Sequence, residues 1–241
     1  MPLPPHHRDP GLCSSGRGLN ARVAALLGAV VLGMGASLLA LSQPGMAQDG
    51  KDPLMANAAG VEQAIFAGGC FWCVESDFDK VDGVLDTVSG YIGGNNDNPT
   101  YKNHTSAGHR EAVRITYDPK VVDYETLLDV FWTSVDPTDA GGQFCDRGFS
   151  YTTAVYALDD EQRERAEASK AEFAGSLAKP IVTEVVDAPT FWPAEDYHQD
   201  YHTKNPIRYN YYRRACGRNS TVEQVWGERA YEGLAAAKAQ S

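Results

Sequence analysis

What most limits the fold open to this chain is the alternation of strand-like and helix-like apolar runs between residues 64 and 186. Ala64-Ile65-Phe66-Ala67 reads as a short strand, after which Phe71, Val74 and Phe78 recur at helical spacing. Residues 84–91 read as a second strand. Dense turn chemistry from Gly93 to Pro99 and a long loop through Gly108 separate it from Ala112-Val113-Arg114-Ile115-Thr116-Tyr117, a β-branched run bounded by Asp118-Pro119. Residues 124–134 set Leu127, Leu128, Phe131 and Trp132 on one helical face. A second long loop, residues 136–150, leads to a strand over 152–158. A charged helix capped by Asp159 then runs to about Ala174, and a strand follows over 181–186. The order β-α-β-β-α-β, then α-β, predicts an α+β fold: a ferredoxin-like split βαβ core sandwich with long loops and a C-terminal extension. Loops of this length inside a compact domain are usually functional or disordered, which directs attention to the polar residues they carry.

Where the first strand turns into the first helix stands Gly68-Gly69-Cys70-Phe71-Trp72-Cys73-Val74-Glu75. Two glycines permit a sharp turn and close backbone approach. The start of a helix offers unpaired N–H groups and a positive partial charge, both of which favour a thiolate over a thiol. Cys70 is therefore a candidate nucleophile. Position alone leaves a buried inert cysteine equally open, since free cysteine is among the most buried residue types.

The ends of the chain read differently from its middle. Arg8, Arg17 and Arg22 precede an uncharged apolar run over 23–41, and Gly45-Met46-Ala47 puts small residues where a signal peptidase reads. Residues 1–47 are thus expected to be an export signal, with an uncleaved N-terminal membrane anchor as the alternative because the run is about long enough to cross a bilayer. Either way the folded part is expected outside the cytosol, in the periplasm. Cys13 precedes the apolar run and is lost on cleavage. Residues 48–60 read as a polar linker, 61–208 as the catalytic domain, and 209–241 as an extension containing Cys216. Within that extension Val225, Trp226, Ala230 and Leu234 lie at roughly helical spacing, predicting one helix over 222–239 packed on the domain. The net charge of −11 and the lack of a basic run argue against nucleic acid as a partner.

Gly69-Cys70-Phe71-Trp72 with Glu75 resembles the signature of the A-type peptide-methionine sulfoxide reductases. The likeness continues, in the family's order, through Gly90-Tyr91-Ile92-Gly93-Gly94, Asn98-Pro99-Thr100-Tyr101, Gly108-His109-Arg110-Glu111-Ala112-Val113, Tyr117-Asp118-Pro119, Phe131-Trp132, Asp136-Pro137-Thr138 and Glu195-Asp196-Tyr197-His198-Gln199. It covers roughly residues 62–206. The resemblance implies thiol-dependent reduction of methionine (S)-sulfoxide, free or in proteins, by a monomer that binds no cofactor and draws electrons from an external, thioredoxin-like dithiol through a thiol relay.

Such a reaction needs a thiolate to attack sulfur, a donor for the departing oxygen and an apolar seat for the methyl group. Cys70 supplies the thiolate. Glu111 matches the family's glutamate, which the resemblance implies is held protonated, as a carboxyl in a desolvated site is. Tyr101 and Tyr151 match tyrosines whose hydroxyls reach the same oxygen, and Asp146 an aspartate that orients the site. Read without the family, Glu111 is a solvated charge, the tyrosines are packing residues and Asp146 is a turn residue. Phe71 and Trp72 offer aromatic faces for the methyl group. Glu195, Asp196 and His198 fall on the expected substrate rim.

Attack leaves a sulfenic acid on Cys70, and a second thiol can condense with it to a disulfide that a dithiol reopens. Cys73, on the same helical face, and Cys216, in the tail, both suit that resolving task, and spacing does not choose between them. Many family members have glycine at the position of Cys73, and Tyr209-Asn210-Tyr211-Tyr212-Arg213-Arg214 is not their glycine-rich tail. Cys145 reads as a bystander in the pocket wall, with a third redox partner as the alternative. No metal site is expected: His198 and His202 are one helical turn apart, but the His-Glu-x-x-His pattern is absent. The competing functions are a general disulfide oxidoreductase using Cys70 and Cys73, and a non-catalytic binding domain. The first has no need of Glu111, Tyr101 and Tyr151, and the second no need of Cys70.

Overall fold

The computed structural model describes residues 60–239 of the chain. The expected export signal, and the linker except its last residue, lie outside the described residues. In chain order the elements are β1 (Glu62–Gly68), α1 (Phe71–Phe78), β2 (Val84–Ile92), β3 (Arg110–Tyr117), α2 (Tyr124–Thr133), β4 (Gly142–Gln143) and β5 (Asp146–Arg147). There follow a 3₁₀ turn (Phe149–Tyr151), β6 (Thr153–Ala157), α3 (Asp160–Ala174), β7 (Glu184–Asp187), β8 (Phe191–Pro193), α4 (Tyr201–Lys204), α5 (Pro206–Ala215), α6 (Arg218–Trp226), a second 3₁₀ turn (Gly227–Arg229) and α7 (Glu232–Ala239). Two helix starts are set by the side chains the sequence offers: Asp123 accepts from Thr126 N–H, and Asp159 from Gln162 N–H, both at 2.8 Å.

Six strands form one mixed sheet in the order β7-β6-β1-β3-β2-β8. Its centre, β6-β1-β3-β2, is antiparallel throughout and is built from the split βαβ units that the order of runs predicted. The sheet is extended by β7, parallel to β6, and by β8, antiparallel to β2. β8 was not foreseen from the sequence. It is three residues long, too short to show a period, and docks where Gly90 leaves room: a Cβ there would stand 2.5 Å from Trp192 O.

Alternation along β1 sends Ala64 and Phe66 to the helix-covered face and Ile65 and Ala67 to the other. Phe66 is the hub of the main core, stacked 5.3 Å from Phe78 of α1 and 5.1 Å from Phe131 of α2. Buried Trp132 and Trp226 keep their indole N–H groups paired, to Ser169 Oγ at 2.9 Å and Val135 O at 2.8 Å. The single C-terminal helix expected over 222–239 is two helices, broken where Gly227 takes φ +57°. Val225, Trp226, Ala230 and Leu234 still pack on the core, and α7 lies against α2. A further helix, α5, occupies the segment that sequence reasoning treated only as a departure from a glycine-rich tail. Pro206 at its first turn is the signal that marked it. No helix among the described residues is long and apolar enough to cross a membrane.

Candidate active site

Cys70 occupies the N-cap of α1, reached through Gly69 at φ +87°, a left-handed backbone where a Cβ would stand 2.6 Å from that of Gln143. Its sulfur does not cap the helix. The first free N–H of the helix, that of Phe71, instead donates to Glu111 Oε2 at 3.0 Å, which fixes that carboxyl one sheet position away from the cysteine turn. Glu111 sits on β3 opposite Tyr91 of β2 and is 2% exposed. Burial raises its pKa to about 8, against the opposing pull of the Phe71 N–H. His104, whose Nε2 lies 3.7 Å from Glu111 Oε1, offers no compensating charge. Burial holds it neutral, and its Nδ1 donates to Tyr101 O at 2.9 Å. Glu111 is therefore a neutral carboxylic acid at pH 7, with one oxygen pinned and the other available.

Cys70, Phe71, Trp72, Tyr101, Glu111, Asp146, Tyr151 and Tyr212 line one cavity of about 60 Å³. The structure thus brings together every catalytic and substrate-binding residue named from the sequence, although they come from α1, β3 and two loops distant in the chain. The tyrosines keep their protons: burial, and next the Glu111 carboxyl, raises Tyr101 to about 12 and Tyr151 further still. Each hydroxyl is a donor. Tyr101 is anchored by its backbone N–H on Glu195 Oε1 at 3.0 Å, and Glu195 Oε2 in turn accepts from Tyr91 OH at 2.9 Å. The Trp72 indole stacks on Tyr201 at 3.7 Å and donates to His198 Nδ1 at 3.1 Å. Glu195 and His198 hold the rim residues in place by these bonds. His198 and His202 have separate partners, His202 facing Asp79 at 3.4 Å.

Sequence reasoning missed Tyr212. From α5 its hydroxyl donates to Asp146 Oδ2 and lies against the Cys70 sulfur, and the cavity's eighth wall is this ring. It also missed two arginines behind the cysteine helix. Arg213 bonds Cys73 O at 3.4 Å and pairs with buried Asp77 at 2.9 Å, while Arg218, 1% exposed, donates to Gly68 O at 3.0 Å. The Tyr and Arg density of residues 209–218 was the available hint.

Two expectations about sulfur need correction. Cys70 was expected to be held as a thiolate by the helix start, yet burial pushes its thiol well above the ordinary range. Its hydrogen bond goes to Cys73, which that bond and the nearby Arg218 and Arg213 charges bring down to about 7. The α1 start is spent on Glu111, so desolvation outweighs it at Cys70. Cys145, read as a bystander, is bonded to Cys216. Cys216, one of the two resolving candidates, is for that reason not paired with Cys70 here; Cys70 and Cys73 are both free and buried. The sulfurs of Cys145 and Cys216 and the Asp146 carboxylate lie within 4.8 Å of one another, but two sulfurs bonded together are not thiolate ligands for a metal.

Comparison with known proteins agrees with this geometry. Residues 62–230 match the family model described as peptide methionine sulfoxide reductase. The chain is 59% identical over 181 residues to peptide methionine sulfoxide reductase MsrA 2 of Rhizobium meliloti, covering 75% of this chain and 91% of that one. With the MsrA of Bacillus subtilis it shares 51% identity over 170 residues, 69% of this chain and 96% of that one. Among solved structures it resembles methionine sulfoxide reductase A of Corynebacterium diphtheriae (TM-score 0.59, 33% identity, 61% of this chain and 76% of that one). It also resembles reduced Mxr1 of Saccharomyces cerevisiae (TM-score 0.60, 29% identity, 62% and 88%). The chain belongs to the peptide methionine sulfoxide reductase family.

Proposed function

We propose that this chain is an oxidoreductase that reduces methionine (S)-sulfoxide, free or in proteins, to methionine and so repairs oxidised proteins. The observation that carries the reading is the single cavity in which a cysteine sulfur faces a neutral carboxylic acid, tyrosine hydroxyls and two aromatic side chains. The substrate's methyl group rests on Phe71 and Trp72. Its oxygen accepts from Glu111, Tyr101 and Tyr151, which withdraws charge from the sulfur that Cys70 attacks. Cys70 hands its proton to Cys73 as it attacks, Glu111 protonates the oxygen, and oxygen passes from substrate sulfur to Cys70, releasing methionine and leaving a sulfenic acid. Glu111 regains its proton from solvent. A general disulfide exchanger has no use for a buried neutral carboxyl beside its thiol.

Cys73 is the better resolving residue of the two. It is free and hydrogen-bonded to Cys70, and two arginines favour its thiolate, whereas Cys216 is engaged by Cys145. Its attack on the sulfenic acid forms the Cys70–Cys73 disulfide and expels water. A thioredoxin-like protein dithiol supplies the two electrons that reopen the cycle. The arginines and apolar run before residue 47 support export to the periplasm, cleaved or anchored, with the protein acting as a monomer. Cell fractionation and light scattering test those last two points.

The chemistry is tested by supplying dithiothreitol and the separated sulfoxide isomers of N-acetylmethionine and counting methionine formed. The S isomer is expected to turn over and the R isomer not, with no product from Cys70→Ser. Turnover by Cys70→Ser, or equal use of both isomers, would sink the reading.

A further inference from the structure

We propose that His104 reloads Glu111 with a proton in each turnover, along a path that enters from solvent at Thr105 and does not pass through the substrate cavity. The inference rests on the reductase reading above, in which Glu111 gives its proton to the departing oxygen, and deepens it by assigning the route by which that proton is replaced. An ionised carboxyl on a residue only 2% exposed is costly, so oxygen transfer leaves a buried charge that must be quenched before the next turn. The cavity on which Glu111 opens is the substrate's own, and at about 60 Å³ it leaves little room for water beside a bound side chain.

His104 meets the same carboxyl from outside that cavity, whose walls do not include it. Its Nε2 lies 3.7 Å from Glu111 Oε1, the oxygen left available because Oε2 accepts from the Phe71 N–H. Since Nδ1 donates to Tyr101 O, Nε2 of the neutral ring carries no proton and turns a lone pair toward the acid. Thr105 Oγ1 stands 3.1 Å from that same Nε2, and Thr105 is exposed. Ser150 Oγ donates to Thr105 Oγ1 at 3.3 Å, which leaves the Thr105 proton free to point at His104. Solvent, a hydroxyl, an imidazole nitrogen and the acid's open oxygen thus follow one another. The ring is fixed in this place: the His104 and Asn103 N–H groups both bond Thr100 O, at 2.9 and 3.0 Å, and the imidazole stacks on Tyr91 at 4.8 Å. Its other titratable neighbours are engaged elsewhere, the Tyr91 hydroxyl with Glu195, the Tyr101 N–H with Glu195, and His109 with Gly94 and Asn96.

Once Glu111 has passed its proton on, Thr105 gives its hydroxyl proton to Nε2 and takes one from solvent. The carboxylate draws the imidazolium so formed to hydrogen-bond length, and the Nε2 proton passes to Oε1. Solvent loses one proton, His104 and Thr105 end as they began, and no electrons move. Burial drives the transfer forward at both ends, because it disfavours the charge on His104 as well as the charge on Glu111.

The test times proton uptake against product release in a single turnover. Reduced full-length protein, freed of reductant under anaerobic conditions, is mixed in a stopped-flow cell with a limiting amount of N-acetylmethionine (S)-sulfoxide in weakly buffered solution containing phenol red, and quenched samples give the product. At about pH 7.5 Cys73 is mostly thiolate and Glu111 mostly protonated, so the turnover draws its missing proton from solvent at Glu111. The wild type is expected to take up protons at the rate at which it releases product. His104→Phe keeps a ring on Tyr91 but carries no proton, and Thr105→Val keeps the side chain's shape but no hydroxyl; in both, uptake is expected to fall behind release by about 10-fold or more. Uptake in step with release in either variant, whether or not both are slowed, would overturn the relay and leave His104 as a packing residue. If His104→Phe forms no product, Thr105→Val decides by the same measure. No product from the wild type would overturn the reductase reading itself, and the relay with it.

Discussion

Two pairs of cysteines lie on either side of Asp146 and Tyr212, and they differ in nearly every physical respect. Cys70 and Cys73 are three residues apart on one helix start, buried, free, and joined by a hydrogen bond under the charges of two arginines. Cys145 and Cys216 are 71 residues apart, open to solvent at one end, and covalently joined. Burial makes the inner pair selective: a small sulfoxide enters a narrow cavity where a carboxyl stays protonated and the tyrosine hydroxyls donate. Exposure makes the outer pair reachable by something large. The same desolvation that sets up the chemistry closes the inner pair to large molecules, whereas Cys145 stands open to solvent.

The comparison is broken most severely at Cys70. Cys70→Ser is expected to form no methionine in single-turnover assays, because the serine oxygen cannot accept the substrate's oxygen. Cys73→Ser should still release the first methionine but lose recycling by a protein dithiol, with a sulfenic acid on Cys70 detectable by dimedone labelling and mass spectrometry. Recycling at the wild-type rate in that variant would move the resolving role elsewhere.

Next in size is the acid. Glu111→Gln should slow the first turnover by roughly 10²-fold, the scale of a general-acid contribution, with substrate binding largely kept. The pH dependence follows from the sign of its shift. The protonated carboxyl is the active form, and burial raises its pKa to about 8, so on the alkaline side the wild-type first-turnover rate should fall as pH rises through about 8, while protonation of Cys73, whose pKa is about 7, sets the acid limb. The amide of the Gln variant does not titrate, so the alkaline limb should vanish from its profile in stopped-flow measurements.

Smaller effects sharpen the role of the partition. Tyr212→Phe removes the hydroxyl that bridges Asp146 and Cys70 while keeping the ring, and should slow the first turnover several-fold with little change in melting temperature. Arg213→Gln weakens the positive field at Cys73 and should raise that thiol's titration, seen as slower iodoacetamide labelling at pH 7.

Much of this molecule was legible in its residues. Asp123 and Asp159 announced their helices, the alternation through Phe66 announced the central strand, and the order of runs announced the split βαβ core. The Gly69-Cys70-Phe71-Trp72 turn and Glu111 identified the site because their types and order resemble a family's. What escaped was short or distant. The β8 strand and the β4–β5 hairpin are too brief to show a period, Gly227 broke a helix that spacing alone made continuous, and Tyr212 reaches Cys70 only because α5 folds back across the site.

The sequence by itself singled out Cys70 as the candidate nucleophile, because the letters around that strand-to-helix turn resemble a family's signature, where position alone left a buried inert cysteine equally open. Only the tertiary structure decided how the sulfurs are paired and charged. Whether Cys145 meets Cys216 depends on distance across a 71-residue separation, and whether Cys70 or Cys73 holds the negative charge depends on burial and on arginines from the far end of the chain. Covalent pairing and protonation answer to neighbours in space, which no spacing along the chain records.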